Sequence, residues 1–356
     1  MNVEQLQQTT KFNGNLLVFY AFDFGDEVDL EKIKQKNILQ IKTPILSAYF
    51  KNYHKPLFFT LDENDSVCIS AKLHHFGVVS FCYKIPFQNS FDELKRKVID
   101  VKDEFDVKSK ADAKKVFDKI LPYIKKSRFY NLDNFYYAVQ FDTLNNQVTP
   151  EAFKDIYGSK IASLLRLETL RLSEYQEGEI LSSTTGYSGQ DMVIIDSEAS
   201  FIYDNEYFDY LEFFEFACIQ QLELQSFDRL LDEKLTFFYT QPTYKMSWKA
   251  YVPLIGERLK YPVSQLSTLK VDISVITERL ENSIKMVGDA YYTRFYSMLT
   301  EQLSLKEWRD SINRKLDIIK DIYNFYQDRL DVIHEGILEL IVIILIATEI
   351  VLAIIR

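Results

Sequence analysis

SVCISAKLHHFGVVSFCYKI, Ser66 to Ile85, holds two runs rich in β-branched and aromatic residues around a break at His74 to Gly77. A glycine-marked break between two such runs is the signature of a β-hairpin. Upstream, Asn15 to Phe24 (NLLVFYAFDF) is a strand candidate, and DEVDLEKIKQK after it has helical spacing with early acidic residues. Downstream, Asn89-Ser90 caps a helix through SFDELKRKVIDVKDEF. The order is β-α-β-β-α.

That order recurs. Phe135 to Phe141 (FYYAVQF) is strand-like, and PEAFKDIYGSKIASLLRLE is helical with Pro150 near its start. EGEILSSTTGYSGQDMVIIDSEASFIYD reads as a second hairpin around Ser188 to Asp191, and a long helix follows from about Asp204 to Leu235. The expected class is α+β, with two ferredoxin-like βαββα halves, residues 12–128 and 129–236, whose strands pack together. Element order alone carries this repeat; the halves share no residue-level identity.

The remainder reads as elongated and helical. Residues 237–262, with Pro242, Pro253, Gly256 and Pro262, form a connecting loop. Residues 263–335 form an antiparallel helical hairpin. Its first arm carries a stripe from Leu266 to Val287 and its second a stripe from Leu305 to Ile333. Ser304 and Glu307 have the spacing of a capping box, which puts a sharp turn near Leu303. Gly336 alone costs about 1 kcal/mol and need not stop the second arm.

That arm runs into GILELIVIILIATEIVLAIIR, residues 336–356, whose non-apolar members between Ile337 and Ile355 are Glu339, Thr348 and Glu349. About 20 such residues span a hydrocarbon core of roughly 30 Å. The 14 large aliphatics favour insertion by roughly 4 to 8 kcal/mol, against about 3 to 6 for two carboxylates. The expectation is a transmembrane helix anchoring a soluble protein. Glu335, Glu339 and Glu349 fall within an arc of roughly 80° on a heptad-like seam. Acidic groups in a membrane face a partner helix or a polar cavity, so Glu339 and Glu349 are candidate helix-contact residues in a homo-oligomer. A soluble helix buried in a bundle is the alternative.

Bulk properties narrow the rest. The 356 residues suffice for two or three structural units, and a hydrophobic fraction of 47% excludes wholesale disorder. A net charge of −10 argues against general nucleic-acid binding. Cys68, Cys82 and Cys218 have no framework spacing, which fits a reducing compartment. MNVEQLQQTTKFNGN has neither a signal nor a transit-peptide pattern, so the soluble part is expected in the cytoplasm.

Reactive constellations are scarce. Cys68, His74, His75 and Cys82 flank one turn, but their spacing does not match the tight pairs of structural zinc sites. Gly186-Tyr187-Ser188-Gly189 lacks the G-x-S-x-G pattern and reads as turn chemistry. Asp228 and Asp232 read as solvated-face charges, and no phosphate-cradling glycine motif is present. No catalytic residue, metal or cofactor is expected, and no small-molecule substrate is evident. One charge feature stands out. Asp106 to Arg128 carries eight Lys/Arg against three Asp, making Lys114, Lys115, Lys125 and Lys126 candidates for contact with anionic lipid or RNA. A solvated helix joining the halves is the plain alternative.

GDAYYTRFY (Gly288–Tyr296), LKEW (Leu305–Trp308), RKLDIIKDIY (Arg314–Tyr323) and LELIVIILIATEI (Leu338–Ile350) occur in that order. With FEFACIQQLELQSFDRLLDEKL (Phe214–Leu235) and FGVVSF (Phe76–Phe81), they resemble a bacterial-type member of the "required for meiotic nuclear division" family, domain-of-unknown-function family 155. The resemblance implies a membrane-associated protein with an α/β part, a helical hairpin and a terminal anchor. It implies a non-enzymatic scaffold or tether, since eukaryotic relatives are mitochondrial inner-membrane proteins that support the translation machinery. Mitochondrial residence would need a presequence, which this chain does not display. The family supplies no catalytic residues to carry over. An enzyme with a site between the two α/β halves is the competing reading.

Overall fold

The computed structural model describes residues 10–240 and 289–355, apart from 44–49, 52–54, 63–65, 128–132, 144–147 and 169, together with 268, 271 and 285–286. The first arm of the expected helical hairpin and most of the 237–262 loop lie outside the described residues. The chain divides into two compact units: residues 1–226 with 280–308, and residues 227–279 with 309–356.

The first unit is built on one mixed sheet. Its strands are β1 (Phe12–Asp23), β2 (Gln40–Ile41), β3 (Leu57–Thr60), β4 (Cys68–Leu73), β5 (Val78–Asn89), β6 (Asp133–Phe141), β7 (Thr184–Thr185), β8 (Met192–Ile195) and β9 (Ala199–Tyr203). Their order across the sheet is β7-β8-β9-β6-β1-β5-β4-β3-β2. β1 is the spine, antiparallel to β5 from Phe12↔Asn89 to Asp23↔Val78 and antiparallel to β6 on its other side. β9 runs parallel to β6, which requires the crossover through α3 (Pro150–Leu165) and β8.

The strands of the two segments do pack together, in one nine-stranded sheet rather than as two ferredoxin-like βαββα halves. The β1–β6 pairing merges both segments into one sheet, and the first segment pairs its strands wholly antiparallel. The expected hairpin at His74 to Gly77 is present as β4–β5. Gly77, at φ +94°, donates to the His74 carbonyl and accepts from Phe24 N–H. A side chain there would put Cβ 1.7 Å from the Gly25 carbonyl oxygen, so only glycine lets these two loops touch.

Helices cover both faces. α1 (Leu30–Gln35) is capped by Asp29. α2 (Phe91–Ile120) opens on a full Ser90/Glu93 capping box, and α3 on Thr149 with Pro150 in its first turn. α4 (Glu174–Ser182), capped by Ser173, overlaps the start of the stretch read from sequence as hairpin. α2 and α3 cover one face, where Phe12, Phe91, Phe141, Phe153 and Tyr157 pack edge-on and stacked at 4.8 to 6.1 Å. α5 (Phe208–Thr240) and α6 (Ala290–Gln302) lie over the other, with Phe214 against Phe19 and Tyr136, and Phe295 against Phe213 and Phe214.

α7 (Leu305–Ile355) follows α6 after a two-residue break. Ser304 sits at φ +53° with its N–H on the Glu301 carbonyl, a left-handed residue closing α6 rather than the extended N-cap that its spacing to Glu307 predicted. In the second unit, Lys315 on α7 bridges Asp228 and Asp232 on α5 at 2.7 Å each, while Ser311 donates to Asp228. These aspartates are thus an interhelical clamp, not simple solvated-face charges. From Glu335 to Ile355 no residue of α7 is buried, and the mean hydropathy is 2.8.

Candidate functional site

The two faces of the sheet differ in chemistry. The face under α2 and α3 is aromatic and aliphatic, whereas the face under α5 buries Lys72, His74, Ser80, Gln140 and Ser200 from the strands. α5 answers with buried Glu215, Gln220 and Glu223. Polar groups are costly in an interior unless they are paired, so this layer needs a specific arrangement.

Its centre is a charge pair. Lys72 Nζ on β4 donates to Glu215 Oε2 at 2.5 Å, and Ser80 Oγ on β5 donates to Glu215 Oε1 at 2.5 Å. His74 Nε2 lies 3.5 Å from Ser80 Oγ, and the Lys72 ammonium stands 5.2 Å over the Phe58 ring. Burial pulls the Lys72 ammonium down, yet the Glu215 and Glu212 carboxylates and the hydrogen bond hold it above its ordinary value. Burial, with Lys72 and His75 adding to it, holds the His74 imidazole well below its ordinary range, so it is neutral. Burial and then Glu215 push the Cys82 thiol well up, and Cys218 follows for the same reasons. No thiolate nucleophile is prepared here.

A cleft of about 360 Å³ opens onto this pair, wholly within the first unit. Lys72, Glu215, Cys82 and Phe19 form its buried floor. Phe58, Ile69 and Ser70 line the strand side, with Lys42 and Thr43 beside them. The first two turns of α5 supply Phe208, Asp209, Leu211 and Glu212. Ser70 Oγ is shielded from solvent and has no hydrogen-bond partner among the described residues.

A second polar knot fixes α6 on α5. The Asp191 carboxylate accepts from Tyr187 N, Ser188 N and Ser188 Oγ at 2.7, 2.5 and 2.7 Å, which is the turn chemistry expected of that segment. Tyr210 Oη also donates to Asp191, at 3.2 Å, and lies 3.0 Å from Tyr291 Oη. Burial pushes Tyr291 up to about 12 and Tyr210 further still. Tyr292 donates to Asp209 at 3.1 Å, and Tyr296 bonds to Gln220.

The residues singled out from sequence lie elsewhere. Lys114 pairs with Asp118, Lys115 with Asp112, Lys125 with Glu27 and Lys126 with Asp26. Glu339 and Glu349 lie on the exposed end of α7. Cys82 is opposite Ser70 and Cys68 opposite Tyr83, with a register irregularity between, so the two cysteines are not a cross-strand pair. Among the described residues no group of three or more His, Cys, Asp or Glu side chains is placed to hold a metal. Sequence reasoning missed the Lys72–Ser80–Glu215 cluster. Two signals were present: a lysine inside an apolar strand, and a glutamate between Phe214 and Phe216.

The profile of the family described as "Uncharacterized protein MJ0711, N-terminal domain" matches residues 13–209, which hold all of the sheet but its first residue, Phe12. The chain is 28% identical over 240 residues to "Uncharacterized protein MJ0711" of Methanocaldococcus jannaschii, covering 67% of this chain and 71% of that protein. It is 22% identical over 140 residues to "Sporulation protein RMD1" of Saccharomyces cerevisiae, covering 39% of this chain and 32% of that protein. Against the yeast protein the chain thus spans only about a third of the relative's length. These matches support the "required for meiotic nuclear division" resemblance. No solved structure matches the chain.

Proposed function

The chain belongs to the family of the MJ0711 N-terminal domain, and on that footing we propose that it is a membrane-anchored, non-enzymatic scaffold or tether. Glu335–Ile355 carries the proposal: 21 helical residues of mean hydropathy 2.8, none of them buried. At 1.5 Å per residue this segment is about 31 Å long, the thickness of a hydrocarbon core. Left in water, its exposed aliphatic side chains would each forfeit roughly 1.5–3 kcal/mol of burial, so an apolar phase is its natural partner. The α/β unit then faces the adjoining aqueous compartment, the cytoplasm. Glu339 and Glu349 mark the helix face that meets a second copy of the chain. The family resemblance extends the proposal to tethering of translation machinery, and the bacterial-type assignment rests on the motif resemblance alone.

Carbonate extraction of membranes tests the anchor. The full chain is expected to stay in the pellet, and a chain ending at Glu335 is expected in the supernatant. Release of both would assign the helix to a soluble bundle and remove the basis for a tether.

A further inference from the structure

We propose that α7 carries an interface on its aqueous stretch, along Ile318, Phe325 and Val332, and that its occupant is a second copy of this chain, parallel and in register. The inference rests on the membrane-anchored reading of α7 and extends the helix contact at Glu339 beyond the membrane. Within the second unit α7 has two apolar lines. Ile312 and Ile319, each 1% exposed, belong to the line buried beside the clamp of Lys315 on Asp228. Ile318, Phe325 and Val332 lie at least about 100° round the helix from them. They are 39%, 48% and 56% exposed, so the fold of one chain leaves much of this second line in water.

The period of the line selects a helix as partner. Ile318, Phe325 and Val332 are each seven residues apart, and the same step continues into the anchor at Glu339, Ile346 and Ala353. On a lone helix such a line drifts by about 20° per heptad, whereas a left-handed pair keeps it facing the partner. The alternate position of the repeat holds Ile322, Ile343 and Ile350, interrupted by Arg329 and Gly336. The anchor then selects which helix. Copies inserted by the same end stand parallel at the same depth, so Phe325 meets Phe325 and Val332 meets Val332. A two-fold pair uses one patch twice, and the second copy brings the matching line by construction. Asp321 and Asp328, exposed on one flank of the line, do not oppose the pairing. Two-fold symmetry sets them on opposite outer edges of the pair.

The test is disulfide crosslinking of the full-length chain in membranes, with copper phenanthroline as oxidant. Phe325→Cys and Val332→Cys lie on the line, and Asn324→Cys and Asp331→Cys, exposed one residue earlier, point about 100° away from it. The parent chain, whose Cys82 and Cys218 are buried and Cys68 half-buried, sets the background. Crosslinked dimer is expected to form at least tenfold faster from each on-line variant than from its neighbour. Phe325→Glu combined with Val332→Glu changes two half-exposed positions and is expected to make the chain monomeric by sedimentation in detergent, where the parent is dimeric. Carbonate extraction of the same membranes separates the two readings. Equal crosslinking on and off the line, or a monomeric parent, in a chain that resists extraction would overturn the pairing and leave the anchor standing. Release of the chain by carbonate would overturn both.

Discussion

Removing one member of the buried ion pair is expected to cost more than removing both. Lys72→Met strands the Glu215 carboxylate, 4% exposed, with Ser80 as its remaining hydrogen-bond donor in the cluster. Glu215→Leu strands the Lys72 ammonium and leaves Ser80 Oγ without its acceptor. Breaking a buried pair from one side costs about 3–5 kcal/mol, because the remaining charge is neither solvated nor compensated. Additive singles would therefore destabilise the double variant by about 6–10 kcal/mol. The double variant instead puts two apolar side chains of similar volume into an apolar wall, with a Ser80 hydroxyl orphaned at about 1–3 kcal/mol. A coupling energy upward of about 3 kcal/mol follows for this contacting pair. Hydrogen exchange at the amides of β4, β5 and α5 reads it directly, since these elements open together when the pair is lost. Singles that exchange like the parent protein, or a double variant that loses the sum of the singles, would refute the view that this pair locks α5 onto the sheet.

His74 gives a pH signature. Its imidazole is held well below the ordinary 6.5 in the folded protein, facing Lys72, His75 and Ser80. The unfolded chain therefore takes up a proton below about pH 6.5 that the folded one refuses, so stability is complete above that pH and falls on acidification. The slope is expected to approach about 1.4 kcal/mol per pH unit, and His74→Gln should flatten it in denaturation curves between pH 7.5 and 5.5. Gly77→Ala forces a left-handed backbone on a residue whose Cβ would lie 1.7 Å from the Gly25 oxygen. Strain of about 1–3 kcal/mol adds to the clash, and a melting temperature lower by several degrees is expected. Charge reversal at Lys114 and Lys115, which pair with Asp118 and Asp112 at the surface of α2, tests this segment as a contact for anionic lipid or RNA: weaker flotation with anionic vesicles or weaker RNA gel shifts is expected if it is one, and unchanged binding would remove it.

Local signals were legible and long-range ones were not. The β4–β5 hairpin, the Ser90 cap with Glu93 and the Pro150 start of α3 could be read because each is decided within a few residues. α4 escaped because Gly178 and a short, weakly patterned run of nine residues give no apolar stripe to follow. The parallel β6–β9 pairing and the β1–β6 seam join segments too far apart for any window to register. The candidate site failed for the same reason, since Lys72 and Glu215 are 143 residues apart and Ser80 and Glu215 are 135 apart.

The periodicity of β4 and β5 carries more than the hairpin itself. Ala71, Leu73, Val79, Phe81 and Tyr83 alternate with Ser70, Lys72, His74, Ser80 and Cys82, so one set is apolar and the other polar or sulfur-bearing. In an antiparallel sheet that pattern ordinarily puts the second set in water. Here α5 covers Lys72, His74, Ser80 and Cys82, and a face patterned for solvent becomes a buried polar layer. The covering helix must then carry the complementary groups. Glu215 does so within a run, FFEFACI, that otherwise reads as pure core. FGVVSF and FEFACIQQ, two segments on which the family resemblance rests, meet at the Ser80–Glu215 hydrogen bond. A solvent-patterned strand face matched by a lone acid in an apolar helix is thus the sequence signal of this site, and neither half of it has meaning until the fold brings them together.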